Sequence, residues 1–179
     1  MKHVLLALMI LPAAARAQEF KTLEDLTRAF EGPISACWEA AETDEARRAC
    51  KGLLYHACTA GWDDGLSNQG DRTCISAEVR FWDDLLNAEW AKLVSRMKEQ
   101  DSQESSEVYA KREETLRAAE LAWIAFRDAE CEFRYAKYGS GTLYPRFFTI
   151  CHADLTFERV LDFVGVWDEF EKGGPYSPR

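Results

Sequence analysis

ISAEVRFWDDLLNAEWAKLVSRM, residues 75–97, places Ile75, Val79, Trp82, Leu86, Trp90, Leu93 and Met97 at steps of three and four. That spacing gathers them on one face of a helix, which the pattern predicts from about Thr73 to Lys98. Before it, GWDDGLSNQGD (61–71) is a loop rich in turn formers. After it, the polar run EQDSQESS (99–106) reads as a break. A second long helix, about 107–137, would bury Tyr109, Leu116, Ala119, Trp123, Phe126 and Phe133 and end at Gly139. The loop YGSGTLYPRFF (138–148) leads to a last helix over about 151–171, halted at Gly173-Gly174-Pro175.

Shorter helices precede these. FKTLEDLTRAFE (20–31) is amphipathic and stops at Gly32-Pro33, and a second helix covers about 34–42. Thr43 then reads as an N-cap, with Asp44 and Glu45 favourable in the first turn of a third helix that carries Ala46 to Cys58 and ends near Gly61. No stretch alternates like a strand, and no segment repeats. The expected fold is all-α: a disulfide-stapled bundle of about five to six helices, two of them long and antiparallel.

MKHVLLALMILPAAARA (1–17) has a basic start, an apolar run and an Ala15-Arg16-Ala17 cleavage pattern, and reads as a signal peptide cut before Gln18. Its apolar run is too short to span a bilayer. No lipid-attachment cysteine stands at the cut. The expected organisation is a single domain over 18–172 and a flexible tail over 173–179, in a periplasmic or secreted protein. The leader holds two bases and no acids, so its removal takes the net charge from −9 to −11. Such acidity disfavours nucleic acid and anionic lipid. It either keeps the domain soluble or draws a cationic partner.

The cysteines, at 37, 50, 58, 74, 131 and 151, are even in number and follow an export signal, which reads as a disulfide framework. CxxC and HxxxH spacings are missing, so no metal and no cofactor is expected. Cys50 and Cys58, on one predicted helix, would stand about 12 Å apart along its axis, beyond a disulfide's reach. A hairpin turning at Thr43 brings Cys37 level with Cys50. Cys58 closes one helix where Cys74 opens the next, and Cys131 and Cys151 flank their loop. The expected pairs are therefore Cys37–Cys50, Cys58–Cys74 and Cys131–Cys151.

AWIAFRDAEC (122–131) concentrates chemistry on one stripe: Glu120, Trp123, Arg127 and Cys131 stand three or four apart. Arg127 can stack on Trp123. Asp128 points a quarter-turn away and would meet Arg127 only indirectly, and Glu120 would reach it only through a neighbour. The stripe is either an anion or sugar site, or a rivet in which Trp123 is core and Arg127 meets Asp83, Asp84 or helix carbonyls.

Three stretches, LLNAEWAKL (85–93), LRAAELAWIAFRDAEC (116–131) and CHADLTFERVLDF (151–163), resemble the LprI-like lysozyme-inhibitor family. The resemblance covers about 37–163. It rests on Leu86, Asn87 and Trp90, on Trp123, Arg127, Asp128 and Cys131, and on Cys151 with Leu155, Thr156 and Arg159. The family usually has Gln-Arg where this chain has Glu120-Leu121.

The resemblance implies an exported inhibitor that binds a cationic lysozyme and blocks its cleft. The loop closed by Cys131 and Cys151 is the candidate plug, through Tyr138, Gly139, Ser140, Gly141, Tyr144 and Arg146; a plain connection is the other reading. An alternative partner is another envelope protein, which a non-inhibitory binding or assembly module would engage. An enzyme is not expected, because His56 and His152 lie in no metal-binding or nucleophile-activating motif. Trp62, alone in a loop, is either a partner anchor or a lid over the Cys58–Cys74 bridge.

Overall fold

The computed structural model describes residues 20–137, 139 and 144–172, with the backbone alone for Tyr144, Glu171 and Lys172. The expected leader and the expected C-terminal tail lie outside these residues. Among the described residues the chain forms α1 (Leu23–Phe30), α2 (Gly32–Ala40), α3 (Asp44–Arg48), α4 (Leu53–Gly61), α5 (Asn68–Gln103), α6 (Arg112–Ala136) and α7 (Tyr144–Lys172). The architecture is all-α and disulfide-bonded. The count exceeds the expected five to six because the predicted third helix is two.

The division falls at Gly52, whose φ of 90° only glycine adopts without strain. Thr43 caps the first piece, its hydroxyl accepting from the Ala46 N–H at 3.2 Å. The second piece, α4, has no cap from its own N-cap residue. Its first turn is satisfied by the Glu78 carboxylate of α5, which accepts from the Gly52 N–H at 2.6 Å and the Tyr55 N–H at 2.9 Å. The same carboxylate accepts from the Trp82 indole N–H at 3.2 Å. Cys50 and Cys58 thus sit on either side of a break and do not share a helix.

The three long helices also depart from expectation at their ends. α5 begins at Asn68, inside the predicted loop, because the Ser67 hydroxyl accepts from the Gly70 N–H at 2.9 Å. Gly70 is obligatory there: a Cβ would lie 1.8 Å from the Asp64 carbonyl oxygen. At its far end α5 runs through the polar segment to Gln103. Asp101 uses that segment to cap α6, accepting from the Arg112 and Glu113 N–H groups at 3.0 and 2.9 Å. α7 begins seven residues before the predicted start, with Pro145 in its first turn, where a missing N–H costs nothing.

Pairings along the helices fix their directions. Asp101 meets Arg112 and Trp90 meets Arg117, so α5 and α6 are antiparallel. Cys131 meets Cys151 and Glu120 meets Arg159, so α6 and α7 are antiparallel too. Asp71 meets Arg146, Trp82 meets Phe157 and Trp90 meets Phe163, so α5 and α7 run parallel. α5 and α6 are the expected long antiparallel pair, α7 joins them as a third long helix, and α1 and α4 pack on the N-terminal half of α5.

One core surrounds Trp82, which is fully buried and meets Trp38, Phe81 and Phe157 edge-on at 5.4, 5.0 and 4.8 Å between centroids. Leu26, Ile34, Leu54, Leu161 and three cysteines join it. A second core lies between α5 and α7: Leu86, Leu93, Val160, Phe163 and Val164. The sulfurs are bonded as Cys37–Cys50, Cys58–Cys74 and Cys131–Cys151, with Cα atoms 5.5 to 5.6 Å apart.

α6 overturns its predicted apolar face. Leu116 and Trp123 pack against the second core, but Phe126 and Phe133 are 55% and 69% exposed and Tyr109 precedes the helix, also exposed. Cys131 is the one fully buried residue of α6. Trp90 and Trp123 are half-buried, and so is Trp62, which packs against the Trp82 core and on Phe20 with ring centroids 5.9 Å apart.

Candidate functional site

The family-like residues converge where α6 crosses α5 and α7. Trp123 lies between two guanidiniums, with the Arg127 and Arg159 carbons 5.1 and 5.4 Å from its centroid. Arg159 also stands 4.5 Å from the Phe163 ring. Its Nε and Nη2 donate to one oxygen of Glu120, at 3.0 and 2.8 Å. Both members of that pair are largely buried, so it locks α6 to α7 in a medium that screens little. Glu120 therefore meets Arg159 and has no need of Arg127.

Arg127 differs from expectation as well. It pairs directly with its neighbour Asp128, Nε donating to Oδ1 at 2.9 Å. Asp83 instead accepts from the Asn87 amide at 3.3 Å, and Asp84 from Arg80 at 2.7 Å. The geometry is that of a rivet: each cation is matched, and the aromatic face is covered. The role of Arg159 had no local signal, because its carboxylate partner stands 39 residues away on another helix.

Next to this node, α5 and α6 leave a groove of about 280 Å3 lined by Leu86, Asn87, Trp90, Arg117, Glu120, Leu121 and Ile124. Trp90 stacks on Phe163 at 5.8 Å, and the Arg117 guanidinium is 5.8 Å from the Trp90 ring. Leu121 and Ile124 form an exposed apolar lip, 70% and 37% accessible.

Of the candidate plug, Tyr138, Ser140 and Gly141 lie outside the described residues. Gly139 has a φ of 60° and donates its N–H to the Ala136 carbonyl at 3.1 Å, turning the chain away from α6. Tyr144 opens α7. Arg146 is a helical residue of α7 and not part of the loop. Its Nε donates to Asp71 at 2.7 Å, and Tyr55 donates its hydroxyl to the other oxygen of Asp71, also at 2.7 Å. Burial raises the Asp71 pKa, but the bonds from Arg146 and Tyr55 outweigh it and hold the carboxyl below its usual range. Arg146 is thus already engaged. Tyr55 and Arg146 line a cavity of about 320 Å3 together with Ile75, Ile150 and Ala153.

His152 occupies a third place, beside a cavity of about 320 Å3 between α5 and α7. Its buried Nε2 has no hydrogen-bond partner among the described residues. Burial, then the nearby Arg127 charge, pulls its pKa below 6.5, with Asp128 acting against them. A histidine kept neutral in the fold but free to protonate when unfolded stabilises the fold fully above about pH 6.5. That contribution is lost as pH falls from there through the folded pKa. Denaturant titrations at pH 7.5 and 5.0 should show the acid loss, and His152→Leu should shrink it. An equal loss in the variant would exclude His152 as the source.

No group of three His, Cys, Asp or Glu side chains among the described residues is placed to hold a metal. No helix among them is long and apolar enough to cross a membrane. What these side chains offer is a fixed, partly apolar surface built on paired charges.

The family described as "Lysozyme inhibitor LprI" matches residues 63–163, which carry α5, α6 and most of α7. A relative from Rhizobium meliloti (strain 1021), described as uncharacterized, is 28% identical over 100 residues, 55% of this chain and 72% of that protein. No solved structure matches. Over more than half its length, and through the residues that build the rivet and the groove, the chain belongs to the lysozyme inhibitor LprI family.

Proposed function

We propose that this protein is exported, acts outside the cytoplasm, and inhibits a cationic lysozyme by binding over its cleft. The family match across 63–163 carries the reading. Charge supports it: a chain of net charge −9, or −11 without its leader, attracts a cationic partner and speeds encounter at low salt. Three disulfides and no free cysteine among the described residues fit an oxidising compartment. Residues 138–144, between Cys131 and Cys151, are the segment proposed to enter the cleft. Anchoring both ends lowers the entropy lost when such a segment is immobilised. Arg146, engaged with Asp71, stays outside this proposal.

The direct test is lysis of a cell-wall suspension by a purified cationic lysozyme, with and without the oxidised protein. Stoichiometric suppression of lysis is expected, and deletion of 139–143 should abolish it while the disulfide remains. Lysis at an undiminished rate with excess wild-type protein would refute inhibition. Recovery of an envelope protein in a pull-down, alongside that result, would favour a non-inhibitory binding module.

A further inference from the structure

We propose that the α5–α6 groove is the docking pocket for the lysozyme, receiving one large apolar side chain of that cationic protein. The inference rests on the proposed function and adds an anchoring contact to the segment 138–144 proposed there to enter the cleft. Three observations lead here.

The groove has the composition of an interface anchor site. Leu86, Trp90 and the largely buried Glu120 form the floor, while Asn87 and Arg117 make a polar rim. Leu121 and Ile124 stand open to solvent at the lip. Central apolar pockets ringed by polar groups are where binding energy concentrates. A groove of about 280 Å3 accommodates an aromatic or long aliphatic side chain.

The groove also lies wholly within residues 63–163, and Leu86, Asn87 and Trp90 all line it. Of the two cavities of about 320 Å3, one needs Lys51, Gly52 and Tyr55 and the other Leu23, which fall outside the matched region. A surface belonging to the family's shared part is the better candidate for a shared activity.

Finally, the groove is rigid where it must be. Glu120 is held by Arg159, and Trp90 is stacked on Phe163, so the floor is set before a partner arrives. The acidic chain supplies the long-range attraction, and the apolar lip supplies the contact.

The test compares two variants of the full oxidised chain in equilibrium binding to a purified cationic lysozyme. Leu121→Asp combined with Ile124→Asp places carboxylates on the lip, and should weaken binding about 30-fold or more, the loss typical of a hot spot. Phe133→Asp, equally exposed on α6 but outside the groove, should bind as wild type. Circular dichroism and thermal melts check that both variants fold. If both bind like wild type, the groove is not the docking pocket, although the inhibitor reading survives. Should wild-type protein itself show no binding, both readings fail together. A wild-type dimer that the lip variant converts to monomer would identify a second copy as the occupant and overturn the proposal.

Discussion

Replacing Glu78 by alanine is expected to lower the unfolding free energy by about 3–4 kcal/mol, more than any surface substitution. Glu78 is 4% exposed, yet its carboxylate accepts from Gly52, Tyr55 and the Trp82 indole. Alanine would leave two N–H groups at the start of α4 and the indole N–H of the central tryptophan without an acceptor. Charge-assisted bonds are worth about 1.5–3 kcal/mol each, but three sharing one group do not add. The carboxylate also faces the positive end of the α4 dipole. Glu78→Gln keeps the shape and one acceptor oxygen, so about half the loss should return. Urea titrations would show both effects, and an alanine variant within about 1 kcal/mol of wild type would contradict this account of α4.

Removing the Cys58–Cys74 bridge by double alanine substitution is the second large effect. It closes a loop of 16 residues, worth about 3 kcal/mol on chain-entropy grounds. Both cysteines are fully buried in the Trp82 core, so two missing sulfurs add a packing loss of about 1 kcal/mol. The Cys37–Cys50 bridge spans a similar 13 residues, but Cys37 is only partly buried. Its double alanine variant should lose less, close to the entropic part alone. Equal losses, or a larger one for 37–50, would show that packing around Cys58 and Cys74 contributes little.

α5 is legible in the sequence because its apolar stripe coincides with the face its neighbours cover. Ile75, Trp82, Leu86, Leu93 and Met97 are all buried. α6 departs from its predicted face because it is apolar on more than one side. Periodicity marks Phe126 and Phe133 as apolar but does not reveal which side α5 and α7 cover. The ends of α5 and α7 were hidden by residues with two meanings. Gly70 reads as a turn former, yet it is a helical residue pressed against the Asp64 backbone. Pro145 reads as a breaker, yet it starts a helix. The break between α3 and α4 has no local signal, because the carboxylate that caps α4, Glu78, stands 26 residues from Gly52. The rivet at Trp123 was visible as a stripe, but its pairing to Arg159 depends on how two helices cross, which local spacing does not encode.

The proposed recognition of a cationic lysozyme by this acidic, disulfide-closed bundle is best tested by calorimetric titration of the oxidised full chain at 50 and 300 mM salt. The account predicts a one-to-one complex whose affinity falls at least tenfold between the two salts, as expected for attraction between opposite net charges. Absence of measurable heat at 50 mM, or an affinity indifferent to salt, would contradict it.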